Sequence, residues 1–141
     1  MEKIRIYTQE NCTYCEQVKE KLKESSIEFT EINIADSKEE WIDVVSLTNN
    51  PTTPTIRIGS EFLLSGRDFQ QPQHLIDIIS NFKESTYDEN RRILELLKTV
   101  NFHIFAAFQK VGNKFQQIES KLQQIENNTK KEEENEHEST S

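Results

Sequence analysis

The chain has 141 residues, 33% of them hydrophobic, and a formal net charge of −8 at neutral pH. Its mean hydropathy of −0.78 is too low for one core spread over the whole length, which points to a small domain with an extension. The acidic balance excludes the basic stripe that displaces counterions from nucleic-acid phosphates. The longest uncharged stretch of the second half, Thr99 to Gln109, is about half of the ~20 residues that a membrane helix requires, so no membrane span is expected.

Lys3 to Tyr7 alternates polar and apolar residues and predicts a short strand. Two cysteines, Cys12 and Cys15, follow, and Val18 and Leu22 with the polar residues between them predict a helix from about Thr13 to Ser25. Ile27 to Ile34 alternates again and predicts a second strand. Ser37 and Glu40 have the spacing of a capping box, which opens a helix with Trp41, Val44, Val45 and Leu47 on or near one face. Pro51 and Pro54 punctuate a loop before Thr55–Ile58, and Gly59-Ser60 is a tight turn into Glu61–Leu64, giving a hairpin. A second loop, Ser65 to Gln71, leads to Pro72 in the first turn of a helix carrying Leu75, Ile76, Ile79 and Phe82.

The order βαβαββα over residues 1–83 predicts an α/β domain with a mixed sheet flanked by helices. Trp41, Phe29, Phe62 and Phe82 are expected to be packing residues.

Charge divides the remainder. Residues 84–127 carry 6 basic and 6 acidic side chains, whereas 128–141 carry 2 and 5. A linker is expected at 84–88, a helix at 89–127 and a disordered acidic tail at 128–141. Between Leu94 and Ile125 the apolar residues, with Asn101 included, recur at alternating steps of three and four. That is the heptad pattern of a coiled coil, and it predicts a homo-oligomer through residues 94–125. The alternatives are a bundle of more than two helices, a helix folded back on its own domain and an adaptor for one client protein. Asn101 and Leu94, Phe108, Phe115 and Leu122 fall at position a, Lys114 and Lys121 at g, and Glu119 and Glu126 at e.

Cys12 and Cys15 lie where the first strand ends and a helix begins. The loop they close is too small to staple a fold, and in a reducing compartment such a pair is catalytic or metal-binding. Met1 is followed directly by Glu2-Lys3-Ile4-Arg5, so the expectation is a cytoplasmic protein without a signal peptide. A zinc site takes about four ligands, and His74, His103 and His137 fall in three separate segments; no metal is expected. Free amides at the helix start would favour a thiolate on Cys12, the attacking group, with Cys15 one turn in as its resolving partner.

Three stretches carry a resemblance over residues 1–83: IRIYTQENCTYC, the Thr52-Thr53-Pro54 that precedes a strand, and LSGRD at Leu64–Asp68. In these the chain resembles the glutaredoxins, of thioredoxin-like fold. The resemblance implies a thiol–disulfide oxidoreductase that reduces protein disulfides or glutathione mixed disulfides, with no permanent cofactor. It places a cis Pro54 and the backbone of Thr53 beside the cysteines, and implies glutathione contacts at Tyr14, Gly66, Arg67 and Asp68, with Arg67 pairing to a glutathione carboxylate.

Gln9 stands where many members have lysine, Thr13 where many have proline, and Ser65-Gly66-Arg67 where many have a double glycine. The reductant implied is therefore glutathione or thioredoxin reductase. An iron–sulfur cluster shared between two chains is a lesser option. A binding module with little turnover is the alternative to an enzyme.

Overall fold

A computed structural model describes residues 3–83 and 90–140; the expected linker at 84–88 lies outside the described residues. The elements are β1 (Ile4–Thr8), α1 (Thr13–Glu24), β2 (Phe29–Asn33), α2 (Lys38–Thr48), β3 (Thr55–Ile58), β4 (Glu61–Leu64), α3 (Pro72–Ser80) and α4 (Arg91–Ser139). The sheet order is β2-β1-β3-β4, with β1 parallel to β2 and antiparallel to β3, and β3 antiparallel to β4. This is the thioredoxin-like α/β arrangement expected from the sequence. The hairpin turns at Gly59, whose φ of 58° is the left-handed value that two-residue hairpin loops need.

Strand alternation sorts the core onto two faces. Ile4, Ile6, Ile56, Ile58 and Leu63 pack with Val18 and Leu22 of α1 and Leu75, Ile76 and Ile79 of α3. Tyr7, Phe62 and Leu64 point the other way, onto Val44 of α2, with Trp41 and Leu47 alongside. Phe29 and Phe82 sit at the margin of the first cluster, so all four aromatic residues expected to pack do so.

Ser37 does cap α2, but its side chain makes no cap hydrogen bond, so the expected capping box does not form. The reason lies with its other half. Glu40 turns toward the sheet, where its Oε1 accepts from the Tyr7 hydroxyl at 2.7 Å and from Arg5 Nη1 at 2.8 Å. Tyr7 is fully buried and a buried hydroxyl needs a partner; the N3 glutamate supplies it.

The Tyr7 bond, followed by that from Arg5, lowers the Glu40 pKa below its ordinary 4.5. Lys19, with help from Thr8, does the same for Glu31 on β2. A carboxylate whose pKa is depressed by folding stabilises the fold above its unfolded value, and that stabilisation is lost as pH falls through the folded value. The urea midpoint should therefore decline as pH drops below about 4.5, and Glu40→Gln should flatten this acid limb. An unchanged limb in the variant would remove Glu40 from the account. Tyr7 shifts the opposite way, raised above 10.0 chiefly by burial, so its contribution is present below pH 10 and lost as pH rises through the folded value.

Residues 3–83 and 90–102 belong to one compact unit, within the 1–102 division of the chain; 103–141 form another. The first turns of α4 thus belong with the domain, rather than beginning an independent extension after residue 83. Glu95 and Thr99 are buried there, 4% and 1% exposed. Residues 128–139, expected to be disordered, are helical as part of α4. No proline or glycine follows Gly112, glutamate and lysine are strong helix formers, and pairs such as Lys130 Nζ with Glu126 Oε1 at 3.1 Å add i,i+4 support. Composition alone reads such a segment as solvated, but propensity decides its conformation.

Candidate redox site

The chain leaves β1 at Thr8 and must turn sharply before α1. Asn11 makes that turn, with φ of 56°, a left-handed conformation that asparagine tolerates better than most residues. Cys12 follows as the N-cap of α1, in extended conformation, and its Sγ accepts a hydrogen bond from the Cys15 amide at 3.1 Å. That amide is one of the donors a helix start leaves without an intrahelical partner. Cys12 is half-buried and is joined by a disulfide to Cys15, with Cα atoms 5.2 Å apart. Cys15 is fully buried. Of the two residues, Cys12 is therefore the more accessible and Cys15 the shielded one.

Tyr14, between the two cysteines in sequence, lays its ring on Phe69 at 6.3 Å between centroids and 30° between planes. Burial raises its pKa above the ordinary 10.0.

The Thr53–Pro54 peptide bond is cis, and Pro54 is buried. Tyr7 of β1 is paired with Thr55 of β3. The strand leaving toward Cys12 and the strand entering from Pro54 therefore meet at the same end of the sheet. The hairpin returns to this end as well, because Leu64 pairs with Thr55. Ser65, the next residue, donates its amide to the Pro54 carbonyl at 3.2 Å and its hydroxyl to the Thr53 carbonyl at 3.3 Å. The Thr52 and Ser65 hydroxyls lie 3.2 Å apart. Ser65 and Thr52 were not among the expected site residues; two small hydroxyl residues in separate loops give no sequence signal of meeting.

Gly66 is exposed with φ of 83°, a conformation that glycine adopts without strain. Asp68 folds back over the loop, its Oδ2 accepting from the Leu64 amide at 2.8 Å.

Arg67 differs from expectation. Its side chain is only 1% exposed and its Nη2 lies 2.7 Å from both Asp68 Oδ2 and Glu95 Oε2. The guanidinium also donates to the Phe62 carbonyl at 3.1 Å and to Thr99 Oγ1 at 3.2 Å. Thr99 in turn donates to the Thr48 carbonyl at 2.6 Å. A desolvated cation requires carboxylate partners, and the protein provides two of its own. In this arrangement Arg67 joins the loop after β4 to the start of α4 rather than being offered to an external carboxylate. Glu95 and Thr99 were missed in the sequence because an exposed-looking helix conceals which of its polar residues face inward.

Among the described residues, no group of three or more His, Cys, Asp or Glu is placed to hold a metal ion. An iron–sulfur cluster takes about four sulfur ligands, whereas this chain has 2 cysteines, here paired with each other. One copy of this chain does not fit such a cluster. No helix among the described residues is long and apolar enough to cross a membrane.

Residues 4–63 match the glutaredoxin family. A glutaredoxin-like 8.6 kDa protein of a rubredoxin operon in Clostridium pasteurianum is 33% identical over 61 residues, which cover 43% of this chain and 81% of that relative. The chain belongs to the glutaredoxin family. Among solved structures, a thioredoxin-like protein is 25% identical with a TM-score of 0.47, covering 55% of this chain and 99% of that one. A glutaredoxin from Archaeoglobus fulgidus is 21% identical with a TM-score of 0.46, covering 56% of this chain and 87% of its own. The glutaredoxin match ends at residue 63, so the Arg67–Asp68 loop and the whole of α4 lie beyond it. Within the match fall both cysteines and the Thr53–Pro54 bond, a pair and a loop that suggest thiol–disulfide redox chemistry.

Proposed function

We propose that this glutaredoxin-family chain is a dithiol–disulfide oxidoreductase in which Cys12 attacks and Cys15 resolves. The carrying observation is the Cys12 sulfur at the N-cap of α1, accepting the Cys15 amide at 3.1 Å. In the reduced protein the same amide, together with the positive end of the helix, favours the thiolate. That thiolate attacks one sulfur of a substrate disulfide, forming a mixed disulfide and expelling the other sulfur as a thiolate, which takes a proton from water. Cys15 then gives up its proton and attacks the Cys12 sulfur. The Cys12–Cys15 disulfide forms, the second substrate thiolate leaves, and two electrons have passed to the substrate.

Thr53 and Pro54, in the loop that enters β3 at the end of the sheet where β1 leaves for Cys12, offer backbone with which an extended client segment can pair. Tyr14, Gly66 and Asp68 border the place for glutathione, with Arg67 supporting the loop from inside. Two glutathione molecules, or thioredoxin reductase, would return the electrons. The activity belongs in a reducing compartment such as the cytoplasm, where a two-cysteine pair cycles rather than staying oxidised.

A second reading has an observation of its own. The seam of α4 is exposed to solvent along its length, so the helix is an association surface, and a redox domain brought to one client by that helix would show little general turnover.

The Cys15→Ser variant separates the steps. It should still reduce glutathione mixed disulfides, which need one protein thiol, and lose most reduction of protein disulfides. Equal loss on both substrates would remove the resolving role from Cys15. Turnover with glutathione and its reductase, compared with thioredoxin reductase alone, identifies the electron source. No turnover with either on a small disulfide would favour the client-bound reading.

A further inference from the structure

α4 has two faces of different chemistry. In its first turns the side chains buried against the domain are Glu95 and Thr99, while Leu94 and Leu97 in the same stretch are 42% and 51% exposed. At about 100° per residue, the Glu95–Thr99 ridge lies roughly 150° around the helix from the seam that begins with Leu94 and Leu97. The domain therefore leaves Leu94 and Leu97 uncovered, although it packs on the same segment. The three–four repeat continues to Ile125, and Phe108 on it is 72% exposed. A contiguous apolar stripe of this kind marks an interface.

We propose that the stripe is the contact with a second copy of this chain, the two α4 helices lying parallel and in register. Charge decides both the occupant and the direction. Lys114 and Lys121 occupy g positions, and Glu119 and Glu126 stand five residues after them at e. In a parallel pair each g position faces the partner's next e position, so every one of these lysines meets a glutamate. In an antiparallel pair g faces g and e faces e, setting lysine against lysine and glutamate against glutamate. Asn101 at position a meets its own copy only in the parallel, unshifted register, where the two amides can pair. Glu126 bonds Lys130 of its own helix, but both side chains are well exposed, so a change of partner costs little. The seam thus carries the complement of its own flanks. The inference is independent of the redox reading, since none of these residues belongs to the cysteine site.

The test uses the full chain. Light scattering at micromolar concentration should give twice the chain mass of 16.6 kDa. The Lys114→Glu/Lys121→Glu variant should dissociate with a constant raised roughly tenfold or more, as should Glu119→Lys/Glu126→Lys. An equimolar mixture of the two should recover a dimer, because each lysine again finds a glutamate. For direction, Thr129→Cys at position a is placed in a Cys12→Ser/Cys15→Ser background and oxidised. A parallel pair cross-links through the two new sulfurs, whereas an antiparallel pair holds them far apart. A monomer mass, a trimer mass, failure of the mixture to reassociate, or absence of the cross-link would each overturn the proposal. Positions 114, 119, 121, 126 and 129 are exposed, so substitutions there leave the core of the domain untouched.

Discussion

Cys12→Ser is expected to lower disulfide reduction by roughly four orders of magnitude or more, the usual consequence of removing a nucleophile. Serine preserves the N-cap, since its hydroxyl can also accept the position-15 amide, so the helix should stay in place. What is lost is ionisation: near neutral pH a hydroxyl does not yield the anion that attacks sulfur. Reduction of a small disulfide measures the effect, with far-ultraviolet circular dichroism as the check on the fold. Alkylation of the reduced wild-type protein provides a second readout. Cys12 should react well below the pH at which an ordinary thiol does, and Cys15, fully buried, should react slowly. A Cys12→Ser protein that turns over normally would end the assignment, and a Cys12 no more reactive than a free thiol would remove its basis in the helix cap.

The second large effect is on stability. Glu95→Ala should cost about 3 kcal/mol, the lower part of the range for breaking a buried ion pair. Glu95 and Arg67 are 6% and 1% exposed at the side chain, so solvent cannot replace the lost carboxylate. The cost stays in the lower part because Asp68 still lies 2.7 Å from the same guanidinium nitrogen. Urea denaturation measures it, and Glu95→Gln should fall between wild type and alanine by keeping a hydrogen-bond acceptor. A loss below about 1 kcal/mol would place the pair among ordinary surface bridges. Position 95 is far along the chain from the cysteines, yet the loop it anchors bonds, through Ser65, the carbonyls of Pro54 and Thr53, the segment proposed above to pair with the client. The variant should therefore also raise KM for a disulfide client more than it lowers kcat.

Much of this architecture is legible in the residues. β1, the hairpin and α3 follow from alternation, a glycine at the turn and a proline in the first helical turn, all local signals. The site cysteines are legible because strand, turn and helix start are adjacent in sequence. Ser37 and Glu40 illustrate where locality fails. Their spacing is that of a cap, but a buried tyrosine hydroxyl 33 residues away recruits the glutamate. Arg67 fails in the same way. Its neighbours suggest a solvent loop open to a ligand, and the carboxylate that claims it is 28 residues further on. The end of α4 departs from its compositional reading for another reason. Lack of apolar residues rules out burial, not helix, and glutamate-lysine sequences satisfy backbone hydrogen bonds without any core.

The inward-facing Arg67 bears on how this protein can be trimmed. A fragment ending before position 95 would retain the cation among Phe62, Asp68 and the back of the hairpin, with one of its two counter-charges deleted. Such a piece must admit water there or loosen around it. The long helix is consequently no detachable tag, and any minimal redox unit made from this chain has to keep its opening turns.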